Sequence, residues 1–203
     1  MAGIYNDSSV IIANFTAPLT VRSNQPTTLS DTLSLKRVIS QKTAQRWEVE
    51  AGLEPLSSGA NALFAHLVTK GYYSVINILM PQNYGVMLKL PATPPVINTT
   101  ALASAGSSQV TIGNSTTIIP VGCFVKFASH AKIYMVTTAD VAASVGSTMN
   151  IYPPLRSDVA SGSALIYKDI TMPCYMETDS VRGMTYSDGI LMDLGTIKLV
   201  EAI

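Results

Sequence analysis

The clearest pattern along the chain is an alternation of apolar and polar residues between Thr43 and Leu53. It places four apolar residues on one face and three charged residues on the other: Trp47, Val49, Ala51 and Leu53 against Arg46, Glu48 and Glu50. A period of two residues is typical of a strand with one buried face. The pattern predicts an antiparallel strand whose tryptophan, the only one in the chain, lies on the core side, while the charged face meets water or a neighbouring chain.

The period changes after this strand. Ser57 or Ser58 is suited to cap a helix that runs to Lys70, and Gly71 is suited to the left-handed position that ends one. Four apolar residues fall on one stripe of this helix: Leu63, Phe64, Leu67 and Val68. The spacing predicts a helix over about 58–70, the only substantial helix in the chain.

Strand signals fill most of the remaining sequence. Longer ones occupy Tyr72–Met80, Tyr84–Leu90, Asp169–Glu177 and Ile190–Val200. Shorter ones lie between them, at Gln109–Ile112, Cys123–Phe127, Lys132–Thr137, Thr148–Tyr152 and Ala164–Tyr167. Short strands at this spacing predict a small barrel or sandwich.

The order of these signals predicts two units. Pro91–Pro95 is typical of a linker, and long strands return after residue 167. We therefore expect residues 1–94 and 168–203 to form one β domain that includes the helix, and residues 95–167 to form an inserted small β-barrel. Residues 1–34 carry only weak strand signals, at Ser9–Ala13 and Pro18–Val21, which predict an extended arm or edge strand. The expected fold class is mainly β with one helix.

Charge narrows the range of partners. Charged residues make up 13% of the 203 residues, against about 25% in an average globular protein, and thirteen basic residues balance thirteen acidic ones. A net charge of zero argues against a nucleic-acid-binding or anionic-membrane-binding surface. A polar but uncharged surface can be desolvated against another subunit without burying ions. The same composition also suits an ordinary neutral domain.

Few residue patterns in the chain indicate a catalytic, cofactor-binding or metal site. The chain has two histidines and two cysteines, with no metal-binding spacing, phosphate loop or dinucleotide fingerprint. Glu48 and Glu50 lie on one strand face about 7 Å apart, which favours a solvated or interface surface over a catalytic carboxylate pair across a cleft. The sequence therefore predicts no catalytic residue, no cofactor and no metal site.

Several blocks of sequence resemble a known family. In the first half they are Leu35–Val38, Gln45–Val49, Leu53–Leu56, the helix over 61–71, and Ile78–Pro81. In the second half they are Val121–Phe127, Lys132–Thr137 and Met149–Leu155. In this order the blocks resemble the distal tail proteins of long-tailed bacteriophages, over roughly residues 35 to 200.

The resemblance implies a structural virion protein. A ring-forming β-sandwich or barrel domain would carry an inserted, OB-like barrel, and a homohexameric ring would join the tail tube to the baseplate or tail tip. The implied partners are other copies of the chain, the tail tube protein and a hub or tail-tip protein, with DNA only passing through the lumen and no membrane. The protein would be made in the bacterial cytoplasm and reside in the virion. Arg46, Glu48 and Glu50 are the residues that we expect near subunit contacts.

Two other functions remain open from the sequence. The inserted barrel could be a carbohydrate- or receptor-binding module of a tail tip, for which Tyr134, Tyr152 and Tyr167 are the available aromatic platforms. A cell-wall hydrolase is the third possibility, although the sequence lacks the expected catalytic constellation.

Overall fold

The structure is a computed structural model that is mainly β with one helix. It describes residues 3–5, 11–31, 33, 37–41, 44–54, 58–71, 74–82, 95–113, 119–138, 147–177, 185–187, 190–193 and 195–203. In chain order the strands and helix are β1 (Gly3–Tyr5), β2 (Ile11–Asn24), β3 (Thr27–Asp31), β4 (Arg37–Gln41), β5 (Arg46–Leu53), α1 (Ser58–Lys70), β6 (Ile76–Leu79), β7 (Ile97–Asn98), β8 (Gln109–Ile112), β9 (Phe124–Phe127), β10 (Ile133–Val136), β11 (Ser147–Tyr152), β12 (Ala164–Ile166), β13 (Thr171–Met176), β14 (Thr185–Ser187), β15 (Ile190–Asp193) and β16 (Thr196–Glu201).

Six strands close into an antiparallel barrel in the order β1-β2-β5-β16-β13-β6. The alternation predicted for β5 is confirmed, because Trp47, Val49, Ala51 and Leu53 are all buried. The same alternation in β16 places Ile197 and Leu199 in the core. Closure leaves the barrel without a free edge strand, so its stability does not depend on pairing with another chain.

The helix α1 has the predicted bounds and packs against β2. Leu63 and Leu67 are buried in the barrel core, but Phe64 is only half-buried and Val68 is exposed. The predicted four-residue apolar stripe is therefore wrong for Val68, because the face of the helix that is buried against the barrel is narrow and centres on Leu63 and Leu67. Gly71 ends the helix with φ of 88°, and its N–H donates to the Leu67 carbonyl at 2.8 Å.

A second antiparallel sheet of six strands has the order β7-β12-β9-β10-β11-β8. Its two edges approach each other at a bridge between Thr99 and Ile112, beside a hydrogen bond of 2.7 Å from the Gly113 N–H to the Asn98 carbonyl. The sheet is thus curled into a half-barrel, with six strands where an OB fold has five. Its strands come from residues 97–166, and the barrel strands come from residues 3–79 and 171–201.

The N-terminal region differs from the prediction of an arm or edge strand. Instead, β2 is one of the six strands that form the barrel wall, and it pairs with β1 on one side and with β5 on the other. The register with β5 shifts between Thr16 and Leu19, so Pro18 sits in a bulge where its missing N–H costs no ladder hydrogen bond. The signal over Ile190–Val200 likewise resolves into two strands, β15 and β16.

Two predictions fall outside the described residues. They are the strand over Tyr84–Leu90 and most of the linker over Pro91–Pro95.

Two small hairpins complete the strand pairs. β14 pairs with β15, and β3 pairs with β4 in a regular five-residue register from Thr27 opposite Gln41 to Asp31 opposite Arg37. β3 follows β2 after two residues, and β4 precedes β5. The β3–β4 hairpin is therefore inserted between two neighbouring strands of the barrel without joining the barrel sheet.

Candidate interaction surface

The three residues predicted near subunit contacts all lie on the outward face of β5. Arg46 is exposed, and Glu48 and Glu50 are half-buried, alternating with the buried core residues of the strand. The structure brings Glu48 and Glu50 together in one shallow groove of about 150 Å³. Arg46 lines a different cavity. The predicted set therefore divides between two surfaces.

The groove is a charged strip that crosses three strands of the barrel and the end of a fourth, β13. It is formed by Arg22, Glu48, Glu50, Lys198 and Glu177, the last of which follows β13. The Arg22 guanidinium lies 3.4 Å from the Glu50 carboxylate, and Asn24 donates to Glu48. Lys198 sits opposite Glu50 in the β5–β16 register. Opposite charges on neighbouring strands stabilise such a surface modestly in water.

The β3–β4 hairpin carries three exposed apolar side chains. Leu29 and Ile39 face each other across the hairpin and are each 61% exposed, and Val38 is 50% exposed. A cross-strand ion pair, 3.0 Å long, joins Arg37 and Asp31 at the end of the hairpin where β3 connects to β4. An isolated two-stranded hairpin is marginally stable in water. These side chains are thus available to pack against another surface.

A buried polar network joins the barrel to the second sheet. The Lys132 ammonium donates to the Glu201 carboxylate, to the Gln45 carbonyl at 2.9 Å and to Gln45 Oε1 at 2.7 Å. The Glu201 carboxylate also accepts from the backbone N–H of Trp47 at 3.1 Å and of Ile133 at 2.9 Å. Burial lowers the pKa of Lys132, against the attraction of Glu201. Every donor of the ammonium is used, so this network is structural.

Sequence reasoning missed this network, although half of it has a signal. The alternation of β16 places Glu201 on the same face as Ile197 and Leu199. An acidic residue on a buried face needs a cationic or hydrogen-bonding partner. Lys132 carries no such signal, because a lysine at the start of the predicted strand Lys132–Thr137 is typical of a solvated strand end. In the structure it immediately precedes β10.

Trp47 makes the second link across the junction. Its indole Nε1–H donates to the Ile133 carbonyl at 2.9 Å. Its ring packs edge-on against Phe124 of β9, with centroids 5.2 Å apart and planes at 89°. The only tryptophan of the chain therefore fixes the barrel against the second sheet.

A cavity of about 530 Å³ opens beside this network. Arg46 and Lys132 line it together with the segment Pro153–Arg156, which follows β11, and with Ile203. Its volume exceeds that of the groove that holds Glu48 and Glu50.

His130 occupies a buried hydrogen-bond network with Ser157 and Tyr134. His130 Nε2 lies 3.0 Å from Ser157 Oγ, and Nδ1 lies 2.9 Å from the Tyr134 hydroxyl. That hydroxyl also accepts the Arg156 N–H at 3.3 Å. Nε2 also lies 3.3 Å from the Asp158 carbonyl oxygen. Both ring nitrogens of His130 therefore have hydrogen-bond partners within the protein.

Two of the three tyrosines proposed as binding platforms, Tyr134 and Tyr167, are buried, so the prediction is wrong for them. Tyr152 is half-buried. Its hydroxyl donates to Gln25 Oε1 at 2.9 Å, and its ring makes a T-shaped contact with Trp47.

Both cysteines are buried and free. Burial raises the pKa of the Cys123 thiol and, with the nearby charge of Glu201, raises that of Cys174 well above its usual range. In the part of the chain that the structure describes, no group of three His, Cys, Asp or Glu side chains is arranged to hold a metal ion. Within the same ranges, no helix has the length and apolar character to cross a membrane.

Comparison with known proteins identifies no family to which this chain is similar. No protein-family model matches the chain, and no curated protein matches it in sequence. The geometry and the sequence patterns therefore carry the functional argument.

Proposed function

We propose that this chain is a structural subunit of a ring at the tail tip of a long-tailed bacteriophage. In this ring, copies of the chain join the tail tube to the baseplate or tip around a channel for DNA. The ring is hexameric, as the sequence resemblance implies. Its contacts are heterologous, because each subunit uses one surface to meet a different surface of the next.

The observation that carries the proposal is the uncovered β3–β4 hairpin. Exposing Leu29, Val38 and Ile39 on a two-stranded hairpin is unfavourable for a free monomer. Covering them in an assembly removes that apolar surface from water, at about 25 cal/mol per Å². The hairpin thus has the character of an assembly element.

The junction between barrel and second sheet supports the same proposal. Besides the Lys132–Glu201 network, Gln82 donates to the Phe124 and Tyr167 carbonyls, at 3.3 and 3.1 Å. The Lys126 ammonium reaches the Thr171 carbonyl at 3.0 Å. These links restrict motion between the two sheets, and a ring that transmits force along a tail needs such rigid subunits.

The charge balance also fits a channel that DNA passes through. A basic lumen would bind phosphates and slow passage, whereas a chain with zero net charge does not concentrate DNA at its surface.

Light scattering on the purified chain tests self-assembly through the hairpin. We expect a concentration-dependent species with about six times the 21.6 kDa chain mass. The double variant Leu29→Ser/Ile39→Ser should remain monomeric. The matched control, Val96→Ser/Leu102→Ser, removes two exposed apolar side chains outside the hairpin and should assemble normally. A hairpin variant that assembles like the unmodified chain would contradict the proposal.

A further inference from the structure

The cavity beside the Lys132–Glu201 pair is lined by charged and by apolar residues. Arg46 from β5 and Arg156 from the segment after β11 contribute guanidinium groups. Pro153, Leu155 and Ile203 contribute apolar surface. Its volume of about 530 Å³ falls within the range of about 300–1,000 Å³ typical of ligand pockets.

The side chains that line the cavity carry an excess of positive charge. Lys132 and Glu201 form a buried ion pair and compensate each other. Arg46 and Arg156 form no ion pair with any residue that the structure describes, whereas Arg22 and Arg37 each pair with a carboxylate. Two guanidinium groups are therefore left to attract an anion.

The two arginines and Lys132 line the same cavity. Burial is the main cause of the lowered pKa of Lys132, and the positive charges of Arg156 and Arg46 add to that lowering. An anion bound in the cavity would therefore be attracted by both guanidinium groups.

We infer that this cavity binds an acidic segment of a partner polypeptide, with its carboxylate on Arg46 and Arg156 and a neighbouring apolar side chain on Pro153 and Leu155. Guanidinium groups match carboxylates through paired, charge-assisted hydrogen bonds. A small inorganic anion would contact only the charged residues, so the apolar part of the lining favours a carboxylate carried on an apolar segment.

This inference goes beyond the proposed function. Binding of an acidic segment needs only the single chain and does not require a ring. Failure of the binding test would therefore leave the ring proposal standing, and failure of the ring would leave this site standing.

Nuclear magnetic resonance titration of the full chain tests the inference. The reporter is the Trp47 indole N–H, whose hydrogen bond to Ile133 lies at the same junction. The probes are the capped tripeptide Leu-Asp-Leu, its uncharged counterpart Leu-Asn-Leu, and inorganic phosphate. We expect saturable shifts with the Asp peptide at millimolar concentration, and binding at least tenfold weaker with the Asn peptide and with phosphate.

Charge-removal variants identify the cavity as the binding place. Arg46→Gln and Arg156→Gln should each weaken binding of the Asp peptide several-fold, and the double variant should abolish it. The control Lys70→Gln/Lys168→Gln removes two cations that do not line the cavity and should bind as the unmodified chain does. Equal affinity for the Asp and Asn peptides would overturn the inference. So would phosphate binding as tight as that of the Asp peptide, or full binding by a folded double variant.

Discussion

The Lys132 ammonium and the Glu201 carboxylate form an ion pair inside the junction of the barrel and the second sheet. Lys132 precedes β10 of the second sheet, and Glu201 ends β16 of the barrel. Their side chains are 5% and 0% exposed. The pair is held by backbone N–H donors as well as by charge, so each residue depends on the other to avoid an uncompensated buried ion.

Removing one partner of this pair should be far more costly than removing both charges. We expect Lys132→Met to lower the free energy of unfolding by about 3–5 kcal/mol, because the Glu201 carboxylate is left buried and unpaired. The double variant Lys132→Met/Glu201→Gln should recover part of that loss. Urea denaturation of both variants measures the difference. A loss below about 1 kcal/mol in Lys132→Met would show that the pair is not buried as described.

The buried thiol of Cys174 should make stability fall at alkaline pH. Its pKa is raised in the folded chain, whereas the unfolded thiol ionises near about pH 8.5. Above that pH the unfolded state holds fewer protons, so the free energy of unfolding decreases by up to about 1.4 kcal/mol per pH unit. Below it the contribution is fully present.

Denaturation of the unmodified chain and of Cys174→Ala between pH 8 and 10 isolates this effect. The variant should show the shallower decline. Lys132 contributes with the opposite sign, because its pKa is lowered, but equally in both proteins. Identical slopes would contradict the assignment.

Gly3 allows β1 to close the barrel. A Cβ at this position would lie 2.6 Å from the Ala13 carbonyl oxygen of β2, a backbone atom that cannot move aside. We expect Gly3→Ala to destabilise the chain by about 1–3 kcal/mol through overpacking. Hydrogen exchange gives a local readout: the Ile4 amide should lose protection while amides of β5 and β16 keep theirs. Unchanged protection of Ile4 would argue against this closure.

The ion pair between Arg22 and Glu50 should add little to the stability of the single chain. Both side chains are partly exposed, at 65% and 34%, so a double-mutant cycle with Arg22→Ala and Glu50→Ala should give about 0.2–1 kcal/mol. The coupling should shrink further in 1 M salt. A salt-insensitive coupling above about 2 kcal/mol would mean that the charged strip is shielded from water.

The sequence predicts the regular parts of this fold well, because periodicity reports which face of an element is buried. It locates α1 and most strands of the second sheet to within one or two residues, and it locates β5 with the correct end and a start three residues early. The sequence does not predict β2 as one continuous strand, because Pro18 and the many polar residues there are typical of an interruption between strands. Pairing on both sides and a bulge at Pro18 override that local signal.

The candidate surfaces are predicted less completely. Alternation correctly places Arg46, Glu48 and Glu50 on an outward face, but it cannot show that Arg46 joins Arg156 across the junction. Nor can it pair Glu201 with Lys132 among thirteen basic residues. Such contacts depend on how two sheets pack, which no local pattern encodes.

The most direct test of the ring proposal is electron cryomicroscopy of the phage particle in which the proposal places this chain. We expect six copies in a ring between tail tube and baseplate or tip, with Leu29 and Ile39 of each hairpin covered by a neighbouring subunit. A tail tip that lacks this chain, or a ring in which these hairpins stay exposed to solvent, would contradict the account.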